Sequence, residues 1–261
     1  MSARRCSVLL LSALAGALPV SAATSAQAVH RVRIEGAGPV TVVFEAGLGD
    51  TLDVWQRVQV EVARGCARTF AYNRAGYPGS AGIDGARDAT AIVAELRAEL
   101  AARGLAPPYV LVGHSLGGLY MQYYARRHPE EVAGLLLVDS THWDQLGRMR
   151  AQAPAMYGTV RTLSLIMMGP MRREFADSVR AGEQVQSSPA PAGTPTIVLS
   201  SSRAAPGETP AFRVLLRRLQ DEIAEEFAAR RHAFPVASGH YIQRDRPQAV
   251  IEAARELAGC G

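Results

Sequence analysis

The chain contains no lysine; all 28 of its basic residues are arginine. Arginine stays protonated, so it serves neither as a general base nor as a Schiff-base amine. Serine–lysine dyads, aldolase-type chemistry and a phosphate loop built on lysine are excluded with it. Cysteine is scarce, at three in 261 residues, and the cysteines and six histidines are not spaced as metal ligands. Gly76-Tyr77-Pro78-Gly79 lacks the strand-to-helix context and the spacing of a dinucleotide loop. No metal and no cofactor is therefore expected. A strong charge of one sign is also missing: 28 basic residues face 24 acidic ones, and the basic residues are spread along the chain, which argues against a nucleic-acid partner. The apolar run at 8–20 is shorter than the roughly 20 residues that a membrane span needs. The chain has no internal repeat.

What is present begins with that N-terminal run. Arg4 and Arg5 precede it, and small residues follow it, ending in Ala26-Gln27-Ala28. A positive start, a short apolar stretch and an A-x-A site together read as a secretory signal cut after Ala28. The mature chain is then expected to be exported, periplasmic or extracellular, with no stable membrane insertion; an uncleaved membrane anchor is the alternative left open. Cleavage leaves 26 basic residues against 24 acidic ones, and two cysteines, Cys66 and Cys260. An even count in an exported protein suggests a disulfide.

Strand and helix patterns alternate beyond residue 28. Strands are expected at 29–35, 40–45, 68–73, 132–138, 195–199 and 233–236. Helices are expected at 52–64, 86–103, within 210–230, and at 247–258. Such alternation predicts an α/β fold, a mostly parallel central sheet with helices on both faces. From 141 to 194 no strand pattern occurs; Met149, Met156, Met167, Met168 and Met171 fall here, with Pro154 and Pro170 as interruptions. A stretch this long inside one domain is usually functional. Its flexible methionines suit an apolar, shape-tolerant roof over a substrate.

The most informative segment is Tyr109-Val110-Leu111-Val112-Gly113-His114-Ser115-Leu116-Gly117-Gly118. An apolar, β-branched run stops at a serine flanked two residues either side by glycine, and a helical pattern follows. Strand, sharp turn and helix at Gly-x-Ser-x-Gly make a nucleophile elbow, in which a strained serine is raised above the sheet over a helix N-terminus. On these residues the chain, from about residue 40 to its C-terminus, resembles the α/β-hydrolase superfamily.

The resemblance implies the rest of the site. Its usual place for the catalytic histidine, after the last strand, is filled by Ala237-Ser238-Gly239-His240-Tyr241, which makes His240 the base; His114 is expected to point elsewhere, into the core. The orienting acid usually follows the seventh strand, but here Ser200-Ser201-Ser202-Arg203 carries no carboxylate, and the first to follow is Glu208. Some members place the acid at the end of the sixth strand, where this chain has Asp139. Asp139 is preferred, with Glu208 and Asp144 left open. The backbone N–H of Leu116, directly after the nucleophile, and that of Leu48, in the turn after the 40–45 strand, are the expected oxyanion donors. Glu45 and Arg74 are expected to pair and stiffen the two loops that they end.

The resemblance also implies that 141–194 is a helical cap between the sixth and seventh strands, on a core of 29–140 and 195–261. It puts the first and last helices on one sheet face, where Cys66 and Cys260 would meet at the floor. A serine at the elbow argues against the epoxide-hydrolase and dehalogenase branches, which use aspartate. The expectation is an exported serine hydrolase acting on a small to medium apolar ester through an acyl-enzyme. A lactonase, thioesterase or aminopeptidase with the same triad remains open, as does a non-catalytic binding protein on the same fold.

Overall fold

The computed structural model describes residues 30–65 and 67–260. The signal read at 1–28 and Cys66 lie outside those residues. Among the described residues no helix is long and apolar enough to cross a membrane.

Seven strands form one sheet among the described residues: β1 Val32–Glu35, β2 Thr41–Glu45, β3 Arg68–Tyr72, β4 Tyr109–His114, β5 Val132–Val138, β6 Thr196–Leu199 and β7 Arg231–Ala233. Their order is β1-β3-β2-β4-β5-β6-β7; β1 pairs antiparallel with β3 and every other pairing is parallel. The central strands are buried along their whole length and read as continuous apolar runs, as a sheet covered on both faces requires. Alternate residues feed two cores. Val43, Leu111, Leu135, Leu137 and Val198 face one side, while Val42, Phe44, Val110, Val112, Leu136 and Val138 face the other. Truncating a fully buried leucine such as Leu111 to alanine costs about 2–5 kcal/mol.

The first core is closed by α2 Ala89–Ala102 and α3 Leu116–Arg127, the second by α1 Gln56–Ala63 and α9 Pro247–Ala258. Local chemistry sets the helix ends. Asp88 caps α2 by accepting the Ala91 N–H at 3.0 Å, so the helix begins three residues later than its apolar pattern. Thr51 accepts the Asp53 N–H, and the segment expected to start the first helix is a 3-10 turn, Leu52–Trp55. Proline opens α9 and Gly259, at φ +72°, closes it. The last strand starts two residues earlier and ends three residues earlier than expected. Its register against β6, Ile197↔Arg231 to Leu199↔Ala233, ends with β6 itself, and Pro235 has no N–H with which to extend the ladder.

Between β5 and β6 run α4 Gln145–Gln152, α5 Pro154–Ser164 and α6 Gly169–Gln186; α7 Pro210–Glu226 follows β6, and the short α8 Ile242–Asp245 precedes α9. Expected between the sixth and seventh strands, this helical segment falls between the fifth and sixth of the described strands. It is not a detached roof. The C-terminal half of α6 supplies Ala181 and Val185 to the first core, and the lack of a side chain at Gly182 admits the Trp143 carbonyl. A smaller cluster of Met149, Ala153, Phe212, Leu215 and Leu219 joins α4 to α7.

Candidate active site

The sheet register lines up one edge. Glu45 lies opposite Gly113, His114 opposite Val138, Val138 opposite Leu199, and Leu199 opposite Ala233. The residues after this row therefore emerge together at the C-terminal ends of the parallel strands, where open α/β sheets bind ligands.

Ser115 is one of them. Its backbone sits at φ +51°, ψ −124°, a conformation that L-residues rarely adopt. It is held there from both sides: its N–H donates to Val138 O at 3.2 Å, and its carbonyl accepts the Gly118 and Thr141 N–H groups at 2.9 and 3.0 Å. The glycines are required by close approach. A Cβ on Gly113 would lie 2.6 Å from Gly118 Cα, one on Gly117 would lie 2.7 Å from Glu45 O, and one on Gly118 would lie 2.6 Å from Ser140 Cβ. Strand, helix and neighbouring turn approach too closely at these positions for any side chain.

Asp139 follows β5 in a second positive-φ position, +42°. Its Oδ2 lies 2.7 Å from His240 Nδ1, and its Oδ1 accepts the Ser201 N–H at 2.7 Å. Burial alone would raise the Asp139 pKa. The hydrogen bond and charge of His240, with the Ser201 N–H, outweigh burial and hold the carboxyl below its ordinary range. The carboxylate-free turn after β6 thus supplies a backbone donor to Asp139 and no carboxylate of its own. A carboxylate only accepts, so the contact places the Nδ1–H of His240 on Asp139. Glu208 lies elsewhere in the same wall, its Oε2 3.9 Å from Arg213 Nη1, and Asp144 accepts from Arg148 Nε at 3.1 Å. Ser115, Asp139 and His240 line one cavity of about 180 Å³. Among the described residues no hydrogen bond joins Ser115 Oγ to the His240 ring.

The turn after β2 lies beside the elbow. A Cβ on Gly47 would be 3.2 Å from Ser115 Cβ and 2.9 Å from His114 Nδ1. Leu48 and Leu116 both line a larger cavity with Ser115, and among the described residues no protein acceptor takes the N–H of either. Beneath this turn lies Arg74. Its Nη1 reaches Glu45 Oε1 at 2.5 Å and Ala46 O at 2.7 Å, and its Nη2 reaches Gly47 O at 2.9 Å. The Glu45–Arg74 pair is present, and both groups are buried. Burial pushes the Glu45 carboxyl up, against the pull of Arg74. A third member, Glu174 of α6, carries no signal in the sequence: it lies 100 residues beyond Arg74 and binds its Nε and Nη2 at 2.7 and 2.8 Å.

His114 is buried, as expected, but it does not point away from the site. Its ring lies 4.6 Å from that of His240, centroid to centroid, and its Nε2 is 3.0 Å from His240 O. Its position beside Ser115 was the available clue. Burial pushes its pKa down to about 3, so it stays neutral.

The larger cavity, about 470 Å³, runs from Ser115 and Leu48 under Leu119, Trp143, Leu146, Tyr157, Val160 and Phe175. Of the five methionines expected to roof it, Met149 alone is in its wall; Met156 packs beside α7, and Met168 is 79% exposed. Aromatic and branched side chains take the place given to methionine. The smaller cavity has a polar far wall of Ser201, Glu208, Arg213 and Gln220. Among the described residues His128, Glu130 and Glu131 alone cluster as a metal site would, at the opposite edge of the sheet, and Arg97 already grips Glu131 through Nε and Nη2.

Comparison with known proteins adds the lineage. The chain is 32% identical over 112 residues to the uncharacterized protein YqjL of Bacillus subtilis (strain 168), a match covering 43% of this chain and 44% of that one. It is 31% identical over 175 residues to the pimeloyl-[acyl-carrier protein] methyl ester esterase of Chromobacterium violaceum, covering 60% and 65%. The chain thus spans less than two thirds of the length of either relative. Among solved structures, a thermophilic esterase from Thermogutta terrifontis superposes with a TM-score of 0.61 at 19% identity, over 88% of this chain and 93% of that one. A haloalkane dehalogenase variant from Bradyrhizobium elkanii gives 0.63 at 18%, over 88% and 96%. At such identities the likeness is one of fold. The model of the "Alpha/beta hydrolase family" matches residues 42–253, from β2 into α9 and across every feature of the edge described above, and the chain belongs to that family.

Proposed function

We propose that the protein is an exported serine hydrolase that cleaves an ester-type bond through an acyl-enzyme. The observation that carries this reading is the 2.7 Å contact between Asp139 and His240 Nδ1, at a cavity that Ser115 also lines. In the proposed cycle His240 Nε2 takes the Ser115 proton as Oγ attacks the acyl carbon. Asp139 stabilises the imidazolium that forms. The Leu48 and Leu116 N–H groups receive the developing oxyanion. The tetrahedral intermediate collapses as His240 returns the proton to the leaving oxygen. A water, deprotonated by His240, then attacks the acyl-enzyme, and its collapse restores Ser115 and frees the acid.

The two cavities divide the substrate. The larger and more apolar one takes the acyl group, and the smaller polar one takes a compact leaving alcohol. An uncharged ester of small to medium chain length fits both. The relative that is a methyl ester esterase supports ester chemistry with a small leaving group. Export, cleavage after Ala28 and a Cys66–Cys260 bridge belong to the same proposal.

A fluorophosphonate probe tests it. Wild-type protein takes the probe on Ser115, and Ser115→Ala does not. His240→Ala lowers turnover of a short chromogenic ester by at least about a thousandfold, and Asp139→Asn by about a hundredfold or more, with melting temperatures retained. Glu208→Gln costs less than about tenfold. A serine that stays unlabelled in folded protein would make this a binding protein on a hydrolase fold.

A further inference from the structure

Glu174 belongs to α6, on the roof side of the larger cavity, yet its carboxylate is fully buried and makes its contacts below the turn at 46–49. Two routes lead from it to that turn. Through Arg74, whose Nε and Nη2 it binds, it reaches the carbonyls of Ala46 and Gly47. Through the Tyr77 hydroxyl, which donates to Glu174 Oε2 at 2.8 Å and accepts the Gly49 N–H at 2.9 Å, it reaches the other side. Leu48 lies between the two anchored points, and both anchors end on one carboxylate.

We propose that Glu174 is a positioning residue for the oxyanion hole: docked with α6, it locks Arg74 and Tyr77 so that the turn presents the Leu48 N–H to the cavity. The proposal rests on the serine-hydrolase reading above and deepens it. Formation of the hole becomes conditional on the seating of a cap helix, because one of the two carboxylates that hold Arg74, and the one that holds the Tyr77 hydroxyl, is carried by that helix. A donor displaced from the oxyanion by even a short distance loses most of its preference for the transition state, so the defect belongs in kcat.

A merely structural role makes a different prediction. Among the further anchors of helix α6 are two that do not touch the turn: Asp177 Oδ2 accepts the Arg87 N–H at 2.7 Å, and Arg180 Nε meets Asp88 Oδ2 at 2.9 Å. If Glu174 only holds the cap down, releasing these anchors should do the same damage.

The test compares Glu174→Gln with Asp177→Asn and Arg180→Gln in the full-length mature protein. Glu174→Gln lowers kcat for a short activated ester about tenfold or more and leaves KM within about threefold. It also speeds amide hydrogen exchange in the peptide spanning 46–50. The two control variants keep kcat within about threefold and leave that exchange unchanged. Tyr77→Phe, which removes one hydroxyl and no charge, serves where Glu174→Gln does not fold: it speeds exchange at Gly49 and lowers kcat less. Equal losses in Glu174→Gln and the controls, or unchanged exchange at 46–50 in Glu174→Gln, overturn the proposal. A wild-type protein that neither labels nor turns over an ester overturns the serine-hydrolase reading instead, while the exchange measurement still reports on the Glu174 link.

Discussion

His114 couples the elbow to the loop that carries His240, and its protonation has a measurable consequence. Buried without a charge partner at hydrogen-bond distance, it has a folded-state pKa pushed from 6.5 down to about 3. Between those values the unfolded chain binds a proton that the folded chain refuses, so this residue makes stability fall as pH falls. The slope is at most about 1.4 kcal/mol per pH unit. Glu95, held down to about 2 by burial-opposing bonds from His30 and Arg87, adds a loss of the same sign only at lower pH. From pH 7 to pH 5, then, His114→Gln should lose about 2 kcal/mol less unfolding free energy than the wild type in urea titrations. An equal acid loss in both proteins would show that the imidazole does not stay neutral in the fold.

Among the elements, α4, α5 and α6 decide what the site accepts. Val160 of α5 and Phe175 of α6 line the larger cavity together with Ser115. Filling that space at Val160 should shorten the acyl chain accepted without touching the reacting groups. Losing room for about two methylenes, at roughly 0.8 kcal/mol each, lowers kcat/KM about tenfold. Val160→Trp is therefore expected to lower kcat/KM for an octanoyl ester about tenfold relative to an acetyl ester, with the acetyl value retained. A chain-length profile that does not change would move the acyl group out of this cavity. The methionine content of 141–194 was a clue to an apolar segment but not to its geometry. Side-chain type says how a residue packs, not which face of its helix meets the cavity.

For the molecule as a whole, the first and last helices lie on one sheet face, in one core. The segments beside the two cysteines also meet: a Cβ on Gly65 would lie 3.2 Å from Arg255 Nε, and Arg255 donates to Glu61 O. A Cys66–Cys260 bridge would tie the start of the fold to its end. Closing so long a loop is worth up to about 4–5 kcal/mol. Reductant should lower the melting temperature of the bridged protein by several degrees, and Cys260→Ser should melt low with or without it. A melt indifferent to reductant removes the bridge from the proposal.

Much of this was legible in one dimension because it is locally encoded. The elbow is a run of neighbouring residues whose backbone approach admits only glycine at Gly113, Gly117 and Gly118. The alternation of apolar runs gave the parallel sheet, and proline at the start of α9 with glycine after it gave that helix to the residue. The Glu45–Arg74 pair was legible because Glu45 ends one strand and Arg74 closely follows the end of its neighbour. What the tertiary structure alone decided is long-range: which carboxylate meets His240, that His114 lies against the His240 ring, and that Glu174 completes the charge cluster under the turn. Those partners are 101, 126 and 100 residues apart. A buried charge has to find its counter-charge in space, because solvation is lost to it, and nothing in the local pattern of the chain records where that partner will come from.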